Sequence, residues 1–292
     1  MFGERRILSA LCRGMGSLSV SSYERSLAPR SQRIERILSN RGVGSRSEVA
    51  KMIRQGRVKV YGKVIRSGSL RFHDDLEVAL DEIVVPNVPL LAIYHKPVGV
   101  HCTMDDPQNR ESLVELDKRY AFLKSMHPVG RLDADTSGLL LFCRYGPLTN
   151  ILLSPTTGIP RDYEAVVMGK VDKTKLKLLL QTGVKTADGV IQAELLDSNI
   201  VPSSKHSYDM NDDIKTSFVR LRVKEGKYRM VRRILHNSGH SVVHLHRVSY
   251  GDIHIGNLEE GLIRAATDPE IQWAAKVSTN QLRSIIPKSR NS

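Results

Sequence analysis

Gly130-Arg131-Leu132-Asp133-Ala134-Asp135-Thr136-Ser137-Gly138 sets one arginine and two carboxylates between glycines, directly ahead of the apolar run Leu139-Leu140-Leu141-Phe142. A carboxylate in a loop that feeds a core strand is rigidly held yet reachable, which suits a nucleophile or a general base. The same residues fit a plain tight turn in which Asp135 and Thr136 cap backbone amides. A second group spans residues 227–236, where helical spacing puts Met230, Val231, Ile234 and Leu235 on one side. Arg229, Arg232, Arg233 and His236 fall on the other, with no acid among them. If the apolar stripe faces the core, these guanidinium forks face a phosphate, a carboxylate or water. Tyr163, in Arg161-Asp162-Tyr163-Glu164-Ala165-Val166, starts a strand and can stack on an unpaired base or pack within a sheet. His236, His240, His244 and His246 have no cysteine close by and no glutamate after His236, so basic-surface histidines explain them better than a metal site.

These groups need elements to hold them. Residues 32–80 read as a small module. Ile34, Ile37 and Leu38 give a first helix, broken by Gly42 and Gly44. Ser45 with Glu48 is a capping box opening a second helix with Val49, Met52 and Ile53 on one side. Val58 and Val60 then alternate with basic residues, and Tyr61-Gly62-Lys63 reads as a turn into another strand. Residues 31–80 hold 11 Lys/Arg against 5 Asp/Glu, which favours a phosphate-binding face. Residues 81–89, with Pro86 and Pro89, read as a stiff linker holding the two parts apart. Residues 90–278 form the larger domain, with strands over 90–94, 139–143, 217–223 and 242–248 and a helix over 172–181 closed by Gly183. There is no regular strand–helix alternation, so the expected class is α+β with a mixed, largely antiparallel sheet. Residues 279–292 read as a frayed tail.

Composition sets the outer bounds. Among 292 residues, 44 Lys+Arg outweigh 31 Asp+Glu, a formal charge of +13, which points to a polyanionic partner such as nucleic acid. No apolar run reaches the ~20 residues of a membrane-spanning helix. The cysteines, Cys12, Cys102 and Cys143, are too few and too scattered for a disulfide framework. Residues 1–31 are rich in Arg and Ser and poor in acids, the pattern of a mitochondrial or plastid presequence; otherwise the chain is expected in the cytoplasm.

Taken together, the motifs resemble the RNA pseudouridine synthases, in particular the RsuA/RluB type that acts on ribosomal RNA. The loop Gly130-Arg131-Leu132-Asp133 with Thr136-Ser137-Gly138-Leu139-Leu140-Leu141 resembles the family's catalytic motif. Tyr94-His95-Lys96-Pro97-Val98-Gly99 resembles its first motif, Arg161-Asp162-Tyr163 its Lys-x-Tyr segment, and the stretch from Glu225-Gly226-Lys227 to Arg232-Arg233 its third. Residues 32–78 resemble the S4-like, or alpha-L, RNA-binding domain. The likeness runs from about residue 32 to 265. Arg229 and Met230 depart from the usual polar pair, and residues 203–213 have no family counterpart.

The resemblance implies isomerisation of a uridine to pseudouridine in ribosomal RNA, without cofactor or metal, by a monomer that needs no membrane. Asp133 would be the catalytic carboxylate, either attacking the ribose or removing a proton. Tyr163 would pack on the flipped base, and Arg232 would pair with Asp133 or a phosphate. Arg131, Arg233 and Lys96 would support the site. RNA contacts would come from Arg33, Arg36, Arg46, Lys51, Arg54, Arg57, Lys59 and Lys63 of the module, and from Arg229.

Two rivals remain. Asp133-Ala134-Asp135-Thr136 also fits the Asp-x-Asp-x-Thr loop of haloacid-dehalogenase-type phosphatases, although there the apolar strand precedes the motif. The other is a non-catalytic RNA-binding assembly factor, which explains the charge but not the coincidence of Asp133, Tyr163 and Arg232.

Overall fold

A computed structural model describes residues 31–73, 75–105, 107–108, 110–201 and 216–285. The first 30 residues and the 203–213 stretch lie outside them.

The N-terminal module begins with β1 (Ser31–Arg33) and α1 (Ile34–Asn40), which buries Ile34, Ile37 and Leu38, the set at helical spacing. In α2 (Arg46–Arg54), the Ser45 N–H donates to Glu48 Oε2 at 2.7 Å and the Glu48 N–H to Ser45 Oγ at 3.3 Å, forming the expected capping box. Strands β2 (Val58–Val60) and β3 (Lys63–Val64) meet at Tyr61-Gly62. β4 (Arg71–His73) returns to β1, and β5 (Val78–Leu80) meets β6 (Ile83–Val84) at Asp81-Glu82. Both two-residue turns hold positive φ throughout, 48° and 77° in the first, 48° and 67° in the second. An Asp-Glu pair is a poor candidate for that geometry, and Arg57 compensates by gripping Asp81 with Nε at 2.9 Å from Oδ1 and Nη2 at 2.5 Å from Oδ2. Lys59 pairs with Glu82 at 2.5 Å. Arg57 and Lys59 are thus engaged in exposed ion pairs within the module. Arg36, Arg46, Lys51, Arg54 and Lys63 are exposed, and Arg33 stands 3.8 Å from Glu35.

The linker does not hold the parts apart. α1 packs on a 3-10 turn, Ala121–Ser125, of the larger domain. A Cβ on Gly42 would stand 2.8 Å from the Ala121 Cβ, so two small residues permit the approach. Arg41 donates to the carbonyl of Leu76 at 2.8 Å and of Val85 at 3.2 Å, and Arg144 donates to that of Val88 at 2.7 Å, fastening the linker to both sides.

The larger domain runs β7 (Leu91–Lys96), α3 (Val114–Arg119), β8 (His127–Pro128), β9 (Ser137–Cys143), α4 (Gly146–Leu153), β10 (Arg161–Met168), α5 (Lys173–Thr182), β11 (Val184–Thr186), β12 (Gly189–Ile191) and β13 (Glu194–Val201). β14 (Thr216–Val223), α6 (Met230–Asn237), β15 (Val242–Tyr250), β16 (Ile253–His254), β17 (Ile263–Ala265) and α7 (Asp268–Ile285) follow. Its main sheet has the order β13-β14-β10-β15-β9-β7-β17, antiparallel except where β15 lies parallel to β9. The α+β, mixed and largely antiparallel reading holds. All seven residues of β9 are buried, as a continuous apolar run at the centre of a sheet requires. α7 extends to Ile285, past the tail expected from 279; Ile271 and Ala274 are buried in the core shared with β7 and β9, which anchors it.

Candidate active site

The turn that carries the two carboxylates closes with the Thr136 N–H donating to the Asp133 carbonyl at 3.0 Å. From behind, the Gly99 N–H donates to the Ala134 carbonyl at 2.7 Å. Lys96 holds that rear loop. Its side chain is 0% exposed, and Nζ donates to the carbonyls of Pro97 at 2.6 Å and Val100 at 2.8 Å. Burial lowers its pKa, partly countered by Cys102, Asp135 and Asp133. Lys96 does not line the cleft in front of Asp133; it holds the loop from behind.

That cleft measures about 280 Å³ and is walled by the Asp133 loop, β10, β15 and the loop before α6. Asp133 lines it, half-buried, and its carboxylate makes no hydrogen bond or ion pair among the described residues. Asp135, two residues on, is fully engaged. Arg229 donates Nη1 to Oδ1 at 3.0 Å and Nη2 to Oδ2 at 2.6 Å, a bidentate pair. Arg232 donates Nη2 to the Asp135 carbonyl at 2.6 Å, with Nε 3.3 Å from Oδ2 but off the hydrogen-bond axis. Burial would raise the Asp135 carboxyl, but the bond from Arg229 and the charges of Arg232 and Arg229 outweigh it and hold it below the usual value. The backbone N–H of Asp135 also bonds its own carboxylate and adds to that lowering. Arg232 thus pairs with Asp135 rather than Asp133; of the two partners the resemblance implied, Asp133 or a phosphate, it does not meet the carboxylate. The Thr136 hydroxyl is buried at the cleft wall without a partner among the described residues.

α6 starts at Met230, three residues later than its spacing predicts, because Arg229 turns left-handed at φ 46° to reach Asp135. The stripe Met230, Val231, Ile234 and Leu235 is buried as expected. Arg233 points elsewhere: its guanidinium contacts Asp188 at the β11–β12 turn, outside the cleft. Arg131 is exposed at the cleft edge, and Tyr163 forms part of the wall. Tyr228 stands 71% exposed at the mouth beside Lys227.

Residues that the sequence reading passed over complete the floor. Arg247 is 3% exposed, donates Nε to the Leu139 carbonyl at 2.7 Å, and brings Nη1 to 3.5 Å from the Tyr163 hydroxyl. Its Nη2 is buried without a partner among the described residues. Arg161 donates to the Tyr250 hydroxyl at 3.0 Å, and that hydroxyl donates to the Leu152 carbonyl at 2.6 Å. A lone arginine on the buried face of a strand (Leu245, Arg247) was the available signal. Behind the floor, His246 lies 2.9 Å from Ser137 Oγ, packed against His95 and His244. Among the described residues no group of three or more His, Cys, Asp or Glu is arranged to hold a metal ion.

A carboxylate without protein partners among the described residues, an aromatic wall and the guanidinium groups of Arg131, Arg161, Arg229 and Arg247 thus share one cleft. Comparison with known proteins identifies the family. Residues 91–237 match the model of the RNA pseudouridylate synthase family, and residues 32–78 match the S4 domain. A ribosomal large subunit pseudouridine synthase B of Yersinia pestis is 34% identical over 265 residues, covering 87% of this chain and 76% of that protein. An uncharacterised RNA pseudouridine synthase of Mycobacterium tuberculosis is 33% identical over 258 residues, covering 85% and 94%. A crystal structure of a pseudouridylate synthase shares 26% identity and superposes with a TM-score of 0.52 over 84% of this chain and 100% of its own. The chain belongs to the RNA pseudouridylate synthase family, with an S4 domain ahead of the catalytic domain. It is an isomerase, and the phosphatase and assembly-factor alternatives are not favoured. The phosphatase loop needs a preceding buried strand, whereas only the two-residue β8 stands before this one.

Proposed function

We propose that Asp133 carries the isomerisation, acting on a uridine of ribosomal RNA turned out of its stack into the cleft. The observation that supports this most is the contrast between the two carboxylates. Asp135 is consumed by Arg229 and Arg232, while Asp133 faces the cleft with its oxygens unengaged among the described residues. In the reaction the N1–C1′ bond breaks, the uracil turns, and C5 bonds to C1′; C5 then gives up its proton and N1 gains one, so nothing is added or lost. Tyr163 offers a face for the uracil, while Arg131 and Lys227 at the edge meet flanking phosphates. Unstacking the uridine costs roughly a few kcal/mol, which cationic contacts offset. Pseudouridine mapping of ribosomal RNA from cells with and without the protein tests this reading: one or more sites should disappear, and an unchanged map overturns it.

We further infer that the chain works as a monomer and that residues 1–31 direct it to a mitochondrion or plastid. The composition of that segment supports the second point, and a reporter fused to it should leave the cytosol. No helix among the described residues is long and apolar enough to cross a membrane.

A further inference from the structure

A second cleft of about 280 Å³ opens where the S4 domain meets the catalytic domain. α1 forms one side; the 3-10 turn, β8 and the first residue of α4 form the other. Arg36, Arg41, Lys124, His127 and Arg144 line it, and no lining residue is acidic. Arg36 and Lys124, one from each domain, are exposed and make no ion pair or hydrogen bond among the described residues. Arg144 is held in place by bonds to the Val88 carbonyl and, at 3.0 Å, to the Tyr145 hydroxyl, which leaves its Nε buried without a partner among the described residues. Tyr145, the N-cap of α4, supplies no capping side chain, so the first-turn amides other than at Pro147, which has none, also lie at this end. Four Lys/Arg side chains in one small concavity repel one another unless an anion joins them.

The position of the cleft indicates which anion. Gly146 lines it at one end of α4, and Leu153 lines the active-site cleft at the other. At ~1.5 Å of rise per residue, the two are about 10 Å apart along the helix. The two clefts therefore lie at opposite ends of one short helix, within reach of a single strand of a few nucleotides. We propose that the junction cleft binds a backbone phosphate of the substrate RNA, a few nucleotides from the reacting uridine, and so clamps the S4 and catalytic domains onto one strand. The proposal rests on the reading of the substrate as RNA.

The test uses the full chain carrying Lys124→Glu, Arg36→Glu or both, with the milder Lys124→Ala as a second variant, and a short oligouridylate as the RNA probe. Affinity should fall about tenfold in each reversal, and the slope of log K against log[salt] should flatten by about 0.7 per lost phosphate contact. Wild-type affinity and slope in the double reversal overturn the proposal. So does a result in which inorganic pyrophosphate raises the thermal midpoint of the wild type but not of Lys124→Glu while RNA affinity is unchanged, since the cleft then serves a small free anion. Asp133→Asn, run alongside, keeps the two claims separate: it should retain the wild-type affinity and slope whether or not the junction cleft binds RNA.

Discussion

Gly138 lies against the backbone of Arg247: a Cβ on Gly138 would stand 2.3 Å from the Arg247 carbonyl oxygen and 2.5 Å from its nitrogen. This is the point where β9 and β15 run parallel, Arg247 opposite Gly138. The contact sets the depth at which the Arg247 guanidinium enters the floor of the cleft.

Gly138→Ala should therefore be severe. The residue sits at φ 110°, and the added methyl overlaps backbone that has no free rotamer to move. Strain at positive φ and overpacking together come to about 2–4 kcal/mol. Thermal unfolding should show a midpoint many degrees below the wild type; an unchanged midpoint contradicts the close crossing.

Asp135→Asn tests the anchor of α6. The amide keeps the shape but loses the charge that binds Arg229 and Arg232. A charged hydrogen bond contributes roughly 1.5–3 kcal/mol when buried, and partial exposure of this pair reduces that. We expect about a tenfold fall in kcat/KM. Arg229→Gln should cost a similar amount, and combining the two should cost little more than either, because they remove one interaction. Additive losses would show that the pair is not coupled.

The histidines behind the floor predict a pH dependence. Burial, with the neighbouring His95 and His244, lowers the His246 pKa from 6.5 to about 4. The unfolded chain therefore takes up this proton first as pH falls, and native stability drops between about pH 6.5 and pH 4. Thermal midpoints recorded across that range should decline, and decline less in His246→Gln. Equal slopes in the two proteins would assign the acid sensitivity elsewhere.

Local order was legible where one interaction decides it. The Ser45–Glu48 box, the buried run of β9 and the apolar face of α6 depend on neighbours in the chain, so spacing alone reveals them. Which carboxylate meets which arginine depends on how α6 docks against the 130s loop, some hundred residues away, and spacing carries no such information. Arg233 was readable as a cation near the motifs, but its partner Asp188 is set by a tertiary contact, whereas Lys96 bonds the nearby carbonyls of Pro97 and Val100, which its own burial in the loop decides. Arg247 was hidden in a strand whose alternation looked ordinary. The linker misled because stiffness was read as separation, while Gly42 and Ala121 allow contact.

The most direct measurement is pseudouridine formation by Asp133→Asn on unmodified ribosomal RNA, compared with the wild type at matched RNA occupancy. The amide nearly matches the carboxylate in size but cannot act as an anionic nucleophile or base. The account predicts a rate lower by roughly 10²–10⁴-fold or more, with RNA affinity unchanged because cations elsewhere hold the strand. Wild-type turnover in Asp133→Asn would contradict the assignment of the reaction to this carboxylate.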